Sequence, residues 1–154
     1  MTSDLTVATF MTPKVIVAGI HNKLSEVMHF FATHKIQHLP VTDNEELVGI
    51  VSVTDLMRVL HDELINGKSL NINELDEKHL LQNFMTPDPI TVSTDTKISD
   101  ALRLLQFKKF QALPVVENGK VVGIITNKDM VEIFSKELNP PHPSFTIENP
   151  GFGI

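Results

Sequence analysis

The sequence predicts an α/β protein built from two β-α-β-β-α units packed as a pseudo-twofold pair. Three observations lead there. The chain repeats itself: Phe10-Met-Thr-Pro13 returns as Phe84-Met-Thr-Pro87, an offset of 74 residues. At the same offset Ile16 returns as Ile90, Gln37 as Gln111, Leu39-Pro-Val41 as Leu113-Pro-Val115, Val48-Gly-Ile50 as Val122-Gly-Ile124 and Asp55 as Asp129. Residues 10–60 align on 84–134 without a gap, about a third of them identical. Within each copy the apolar pattern switches from helical to strand-like spacing at the same place. Finally, a unit of roughly 50 residues is too small to bury a full core alone. The two copies are therefore expected to close on each other, sheet against sheet.

Taken in order, each unit opens with a short helix (about Asp4–Phe10, and Glu77–Phe84) that stops at Met-Thr-Pro, because proline biases the residue before it away from helix. A brief strand follows, Val15–Val17 or Ile90–Val92. The next helix is expected to be capped by Asn22 or Thr96. Leu24, Val27, Met28 and Phe31 give it one apolar face, matched by Ile98, Ala101, Leu102 and Leu105. A strand through Leu39–Thr42 then meets a polar turn, Asp43-Asn-Glu-Glu46 or Glu117-Asn-Gly-Lys120, and Leu47–Ser52 or Val121–Thr126 completes a hairpin. A last helix starts near Asp55 or Asp129. The expected division is 4–60 for the first unit, 61–76 for a linker in which Asn73 could cap a helix, 77–138 for the second unit, and 139–154 for a proline-rich, unstructured tail.

Composition excludes several functions. With no cysteine among 154 residues there is no disulfide, thiolate nucleophile or cysteine-held zinc, which fits a reducing, cytoplasmic setting. No apolar run approaches the ~20 residues of a membrane span, and no leader-like stretch opens the sequence. The formal net charge of −6, without a basic cluster, argues against a nucleic-acid partner. Seven histidines raise the question of a metal. His34 and His38 are four apart, but His38 falls beyond the helix end, and no further acid or histidine joins them at ligand spacing.

The chemistry concentrates where the second hairpin strand becomes the last helix. Gly49-Ile-Val-Ser-Val-Thr-Asp55 and Gly123-Ile-Ile-Thr-Asn-Lys-Asp129 each bring a hydroxyl, two spacers and a carboxylate to a helix start. An ionised carboxylate accepts hydrogen bonds only, and its two oxygens match vicinal hydroxyls such as those of a ribose. The free N–H groups of the helix start favour an anion. The same residue types also cap a helix with no ligand at all.

Met-Thr-Pro, Leu-Pro-Val and Gly-apolar-apolar-Ser/Thr-x-x-Asp, each present twice and in this order, resemble the tandem CBS-domain proteins, the Bateman modules. The likeness covers residues from about 4 to 136. It implies a regulatory module that binds an adenosine-containing ligand (AMP, ADP, ATP or S-adenosylmethionine) in clefts between the units, with no catalytic cofactor. Carried over to this chain, Asp55 and Asp129 would hold ribose hydroxyls, and Ser52 and Thr126 ribose or phosphate. Ile16 and Ile90 would line the adenine pocket. Thr54 and Lys128 would face phosphates, as would the pairs Gln37-His38 and Gln111-Ala112, where phosphate-binding members carry basic residues. Thr54 and Ala112 depart from that pattern. One cleft is expected to join Ser52 and Asp55 with Ile90, Gln111 and Lys128, the other Thr126 and Asp129 with Ile16, Gln37 and His38. Each would then hold about one basic group, favouring AMP or ADP over ATP. The resemblance also implies a homodimer and a regulated protein partner. A ligand-free interaction or oligomerisation module is the alternative. No Walker A loop, dinucleotide glycine pattern or hydroxyl–histidine pair argues for an enzyme.

Overall fold

The computed structural model describes residues 4–68, 70–107 and 110–138. The expected tail at 139–154, a docking role for its Phe145 or Phe152, and the surface pair Lys108-Lys109 lie outside the described residues. The first unit runs α1 (Val7–Phe10), β1 (Thr12–Pro13), β2 (Ala18–Gly19), α2 (Leu24–His34), β3 (His38–Asp43), β4 (Glu46–Ser52) and α3 (Val53–Ile65). A connector helix α4 (Ile72–Lys78) leads to α5 (Leu81–Phe84), β5 (Thr86–Pro87), α6 (Ile98–Phe107), β6 (Ala112–Glu117), β7 (Lys120–Thr126) and α7 (Asn127–Leu138).

Each unit is centred on an antiparallel hairpin. In β3–β4 the register runs from His38 opposite Ser52 to Asp43 opposite Glu46, and in β6–β7 from Ala112 opposite Thr126 to Glu117 opposite Lys120. The two central turn residues have positive φ in both hairpins, Asn44 (47°) and Glu45 (69°) in one, Asn118 (52°) and Gly119 (79°) in the other. That geometry matches the right-handed twist of the strands it joins. The hairpins meet where Glu46 pairs with Lys120, so the sheet expected as two pressed faces is also one hydrogen-bonded network.

The units exchange their first elements. Strand β1 pairs with β7 of the second unit, Thr12 opposite Ile124, and β5 pairs with β4 of the first, Thr86 opposite Ile50. Val7, fully buried, belongs to the second core with Leu113, Val115 and Ile125; Leu81 belongs to the first with Leu39, Val41 and Val51. Backbone bonds fasten the exchange: the Val7 amide donates to the Thr96 carbonyl at 2.8 Å, and Ile98 to Leu5 at 2.9 Å. The exchange accounts for two motif residues. A Cβ on Gly123 would lie 2.5 Å from Met11 Sδ and 3.1 Å from the Thr12 carbonyl, while one on Gly49 would collide with Met85. Glycine is needed wherever the methionine of the other unit lies flat on the strand.

Several local expectations are corrected. The lead-in helices are single turns, because the sequence before each is held by the other unit rather than by its own i→i−4 bonds. The parallel pairing expected of Val15–Val17 falls at Ala18–Gly19, with Ala18 opposite Val41, and in the second unit shrinks to one bridge between Val92 and Val115. Positive φ at Lys14 (55°) and Asp88 (44°), just past each Pro, turns the chain before it can pair. Asn22 and Thr96 are not helix caps. Each accepts from an amide three residues back, Gly19 at 2.7 Å and Ser93 at 3.0 Å. The start of α2 is instead satisfied by Asp76 of α4, which accepts from the Ser25 amide at 2.8 Å and its hydroxyl at 2.6 Å. Asn71, not Asn73, caps α4. No helix among the described residues is long and apolar enough to cross a membrane.

The connector is also locked to α3. Glu63, buried in that helix, pairs with Lys78 and with His79 Nε2 at 2.9 Å. The Lys78 bond, followed by that from His79, holds the Glu63 carboxyl below the usual glutamate range.

Candidate ligand-binding site

The Ser/Thr-x-x-Asp motif forms the same reciprocal cap in both units. Asp55 Oδ2 accepts from the Ser52 amide at 2.8 Å and hydroxyl at 2.9 Å, while the Asp55 amide donates back to Ser52 Oγ at 3.1 Å. In the second unit Asp129 Oδ2 accepts from Thr126 N at 2.8 Å and Oγ1 at 3.0 Å, and the Asp129 amide returns a bond of 3.2 Å. These are capping boxes at the heads of α3 and α7. The first helical amides, Val53 and Asn127, donate to the Gln37 and Gln111 carbonyls, each at 3.0 Å. The strand-to-helix corner is thus tied down on three sides.

Capping uses one carboxylate oxygen and leaves the other. Two bonds fill the acceptor sites of each Oδ2, and the two sites of Oδ1 are available to a pair of hydroxyls. Asp55 Oδ1 has Arg58 Nη1 at 3.5 Å; Asp129 Oδ1 has no hydrogen-bond partner among the described residues. Both aspartates face hollows between the units.

The first hollow, about 260 Å³, is lined by His38, Ile50, Ser52, Thr54, Asp55, Thr86, Pro89, Ile90, Phe110, Gln111 and Ala112. The second, about 410 Å³, is lined by Thr12, Lys35, Ile36, Gln37, His38, Gln111, Ile124, Thr126, Asn127, Lys128 and Asp129. The expected grouping of Ser52, Asp55, Ile90 and Gln111 is present, as is that of Thr126, Asp129, Gln37 and His38. Two residues fall elsewhere. Ile16 packs on the first core instead of lining the second hollow. Lys128 lines the hollow of its own Asp129, because residues adjacent on the first turn of α7 open to the same side. One basic group per cleft is therefore not what the fold produces: Lys35, Lys128 and His38 all line the second hollow.

His38 and Gln111 line both hollows and so form the wall between them. Burial lowers the His38 pKa below the ordinary histidine value, against the opposing pull of the Gln111 side chain and the Asp55 charge. A largely neutral imidazole at neutral pH follows. Sequence reasoning missed Thr12 and Thr86, although both stand inside the Met-Thr-Pro marker, since only the exchange of β1 and β5 carries them into the opposite unit's hollow. It also missed Lys35, which ends α2 in a left-handed conformation (φ 51°, ψ 34°).

Two paired α/β repeats, with matched aspartate corners opening on hollows between them, define a tandem binding module. The chain belongs to the CBS-domain family, whose pattern matches residues 7–62 and 81–136. It is 33% identical over 150 residues to the chloroplastic CBS domain-containing protein CBSX2 of Arabidopsis thaliana, covering 82% of this chain and 62% of the relative. Over 113 residues it is 35% identical to the uncharacterized protein MJ1232 of Methanocaldococcus jannaschii, covering 73% of this chain but 33% of that one. The chain thus spans between a third and two thirds of these curated relatives. The crystal structure of CBSX2 in complex with AMP superimposes with a TM-score of 0.71 at 31% identity, covering 88% of this chain and 98% of that one.

Proposed function

We propose that this chain is a regulatory CBS pair that binds an adenosine-containing ligand between its repeats and transmits occupancy to a protein partner or to its own oligomer. The observation that carries the reading is the duplicated capping box, in which Oδ2 anchors the helix and Oδ1 remains for a ribose at a hollow lined from both units. The AMP complex of CBSX2 supports the choice of ligand class. The mechanism is binding, not chemistry. A ligand in contact with both units stabilises one relative arrangement of them, and with it the surfaces they present. The setting we propose is cytoplasmic.

Thermal shift with AMP, ADP, ATP, S-adenosylmethionine and GMP tests this on the wild type, Asp55→Ala and Asp129→Ala. Ligand at 100 times its Kd adds about 2.7 kcal/mol, which is roughly 5–10 °C for a chain of this size. Adenosyl ligands should raise the melting temperature, and one or both variants should lose the shift. No shift with any of them refutes the reading.

A homodimer belongs to the same proposal. Met57, Leu64 and Ile65 on α3, and Val131 and Leu138 on α7, are large apolar side chains left exposed at 56–74%. These helix faces also favour the second reading, an oligomerisation module with empty clefts. Light scattering on Met57→Glu with Val131→Glu should report monomer where the wild type reports dimer.

A further inference from the structure

The two hollows share a wall and a capping geometry, but their described rims differ in charge. In the second hollow Lys35 and Lys128 reach the rim from different elements, the end of α2 and the start of α7. Neither has an ion-pair partner among the described residues. Thr54 stands in the first hollow where Lys128 stands in the second. Past the aspartates the contrast reverses: Arg58, one turn on, approaches Asp55 Oδ1 at 3.5 Å, and the equivalent of Arg58 is Glu132.

Lys35 adds an independent sign. It occupies the left-handed position that closes a helix, where glycine or asparagine is usual. A side chain there costs about 1–2 kcal/mol. Backbone strain of this kind gathers at ligand sites, and here it aims a cation at the mouth of a hollow. The Lys128 amide, second in α7, has no intrahelical acceptor and adds the positive end of a twelve-residue helix. In a chain with a net charge of −6, two such cations at one cavity are a local inversion of sign.

We propose that the second hollow is the phosphate-selecting site of this protein, with Lys35 and Lys128 as its specificity-determining residues for a nucleoside mono- or diphosphate. The inference rests on the adenosyl reading for the nucleoside part alone. The phosphate part stands on the lysines. With Asp129 on the ribose, the two cations sit on the side where the 5′ substituent leaves the sugar, and they balance the two to three charges of such a ligand, whereas a triphosphate exceeds them.

Isothermal titration calorimetry with AMP, adenosine and inorganic pyrophosphate, on wild type, Lys35→Gln, Lys128→Thr and the double variant, tests it. Lys128→Thr installs the residue of the first unit at an exposed site, so folding is not at risk. AMP should bind the wild type more tightly than adenosine, and each variant should lose about tenfold in AMP affinity with adenosine unchanged. An AMP-to-adenosine ratio unaltered in the double variant overturns the proposal while leaving the adenosyl sensor standing. Pyrophosphate binding that depends on the lysines, with no nucleoside binding, upholds the anion site and sinks the sensor. Binding of none of the three sinks both.

Discussion

The two hollows start from one plan and end as different sites. Both have a hydroxyl–aspartate cap, a glutamine carbonyl on the first helical amide, and a threonine delivered by the other unit's Met-Thr-Pro strand. They diverge only in side chains that carry no fold: Thr54 against Lys128, Arg58 against Glu132, and His38 against Ala112. Duplication preserved what the backbone needs, and left the rim free to vary. A repeat can therefore be read as a scaffold, with its mismatches as the record of separate ligand choices.

The exchange of lead-in elements is the feature whose removal should matter most. Leu81→Ala takes a side chain out of the first core although it belongs in sequence to the second unit, and should cost about 2–5 kcal/mol. Calorimetry should still give one transition, since each core depends on both units. Two separate transitions would mean that the hollows rest on independent domains.

The glycines under the methionines sharpen the comparison. Gly123→Ala faces Met11 and the fixed Thr12 carbonyl, whereas Gly49→Ala meets only the side chain of Met85. Both overpack, at about 1–3 kcal/mol, and the second-unit variant should be the worse. Denaturant melts measure the difference; truncating Met85 to Ala should restore Gly49→Ala more fully than Met11→Ala restores Gly123→Ala.

Glu63 tests an asymmetry away from the hollows. It is buried against Lys78 and His79, and its counterpart Glu137 is exposed. Because the folded pKa of Glu63 is lowered, the unfolded state binds more protons once the pH enters the carboxylate range. The contribution is therefore complete above the ordinary glutamate pKa of about 4.3 and is lost as pH falls through the lowered native value. Melting temperature against pH should flatten in that acidic window for Glu63→Gln and stay unchanged for Glu137→Gln.

The smallest effect is expected at the hairpin turns. Gly119 holds its φ of 79° without strain, but Glu45 holds 69° with a side chain. Glu45→Gly should stabilise the protein by about 1 kcal/mol, read as a raised denaturation midpoint. A loss would show that the Glu45–Lys120 pair, at 3.3 Å and exposed, outweighs the turn.

Much was legible in the residues. The 74-residue offset, proline stops, apolar helix faces and hairpin turns specify the unit, because each is a local property carried by neighbours in the chain. The capping boxes were legible for the same reason, with hydroxyl and carboxylate three residues apart. Tertiary structure alone decided which unit each lead-in joins, since Phe-Met-Thr-Pro is the same in both copies and fits either strand. It decided that Thr12 and Thr86 would cross into the opposite hollows and that Ile16 would turn into the core. It also gathered Lys35, Lys128 and His38 around one cavity, from positions almost a hundred residues apart in a chain whose composition is acidic. Spacing along a chain carries the period of an element, but which charges share a cavity depends on how the elements pack.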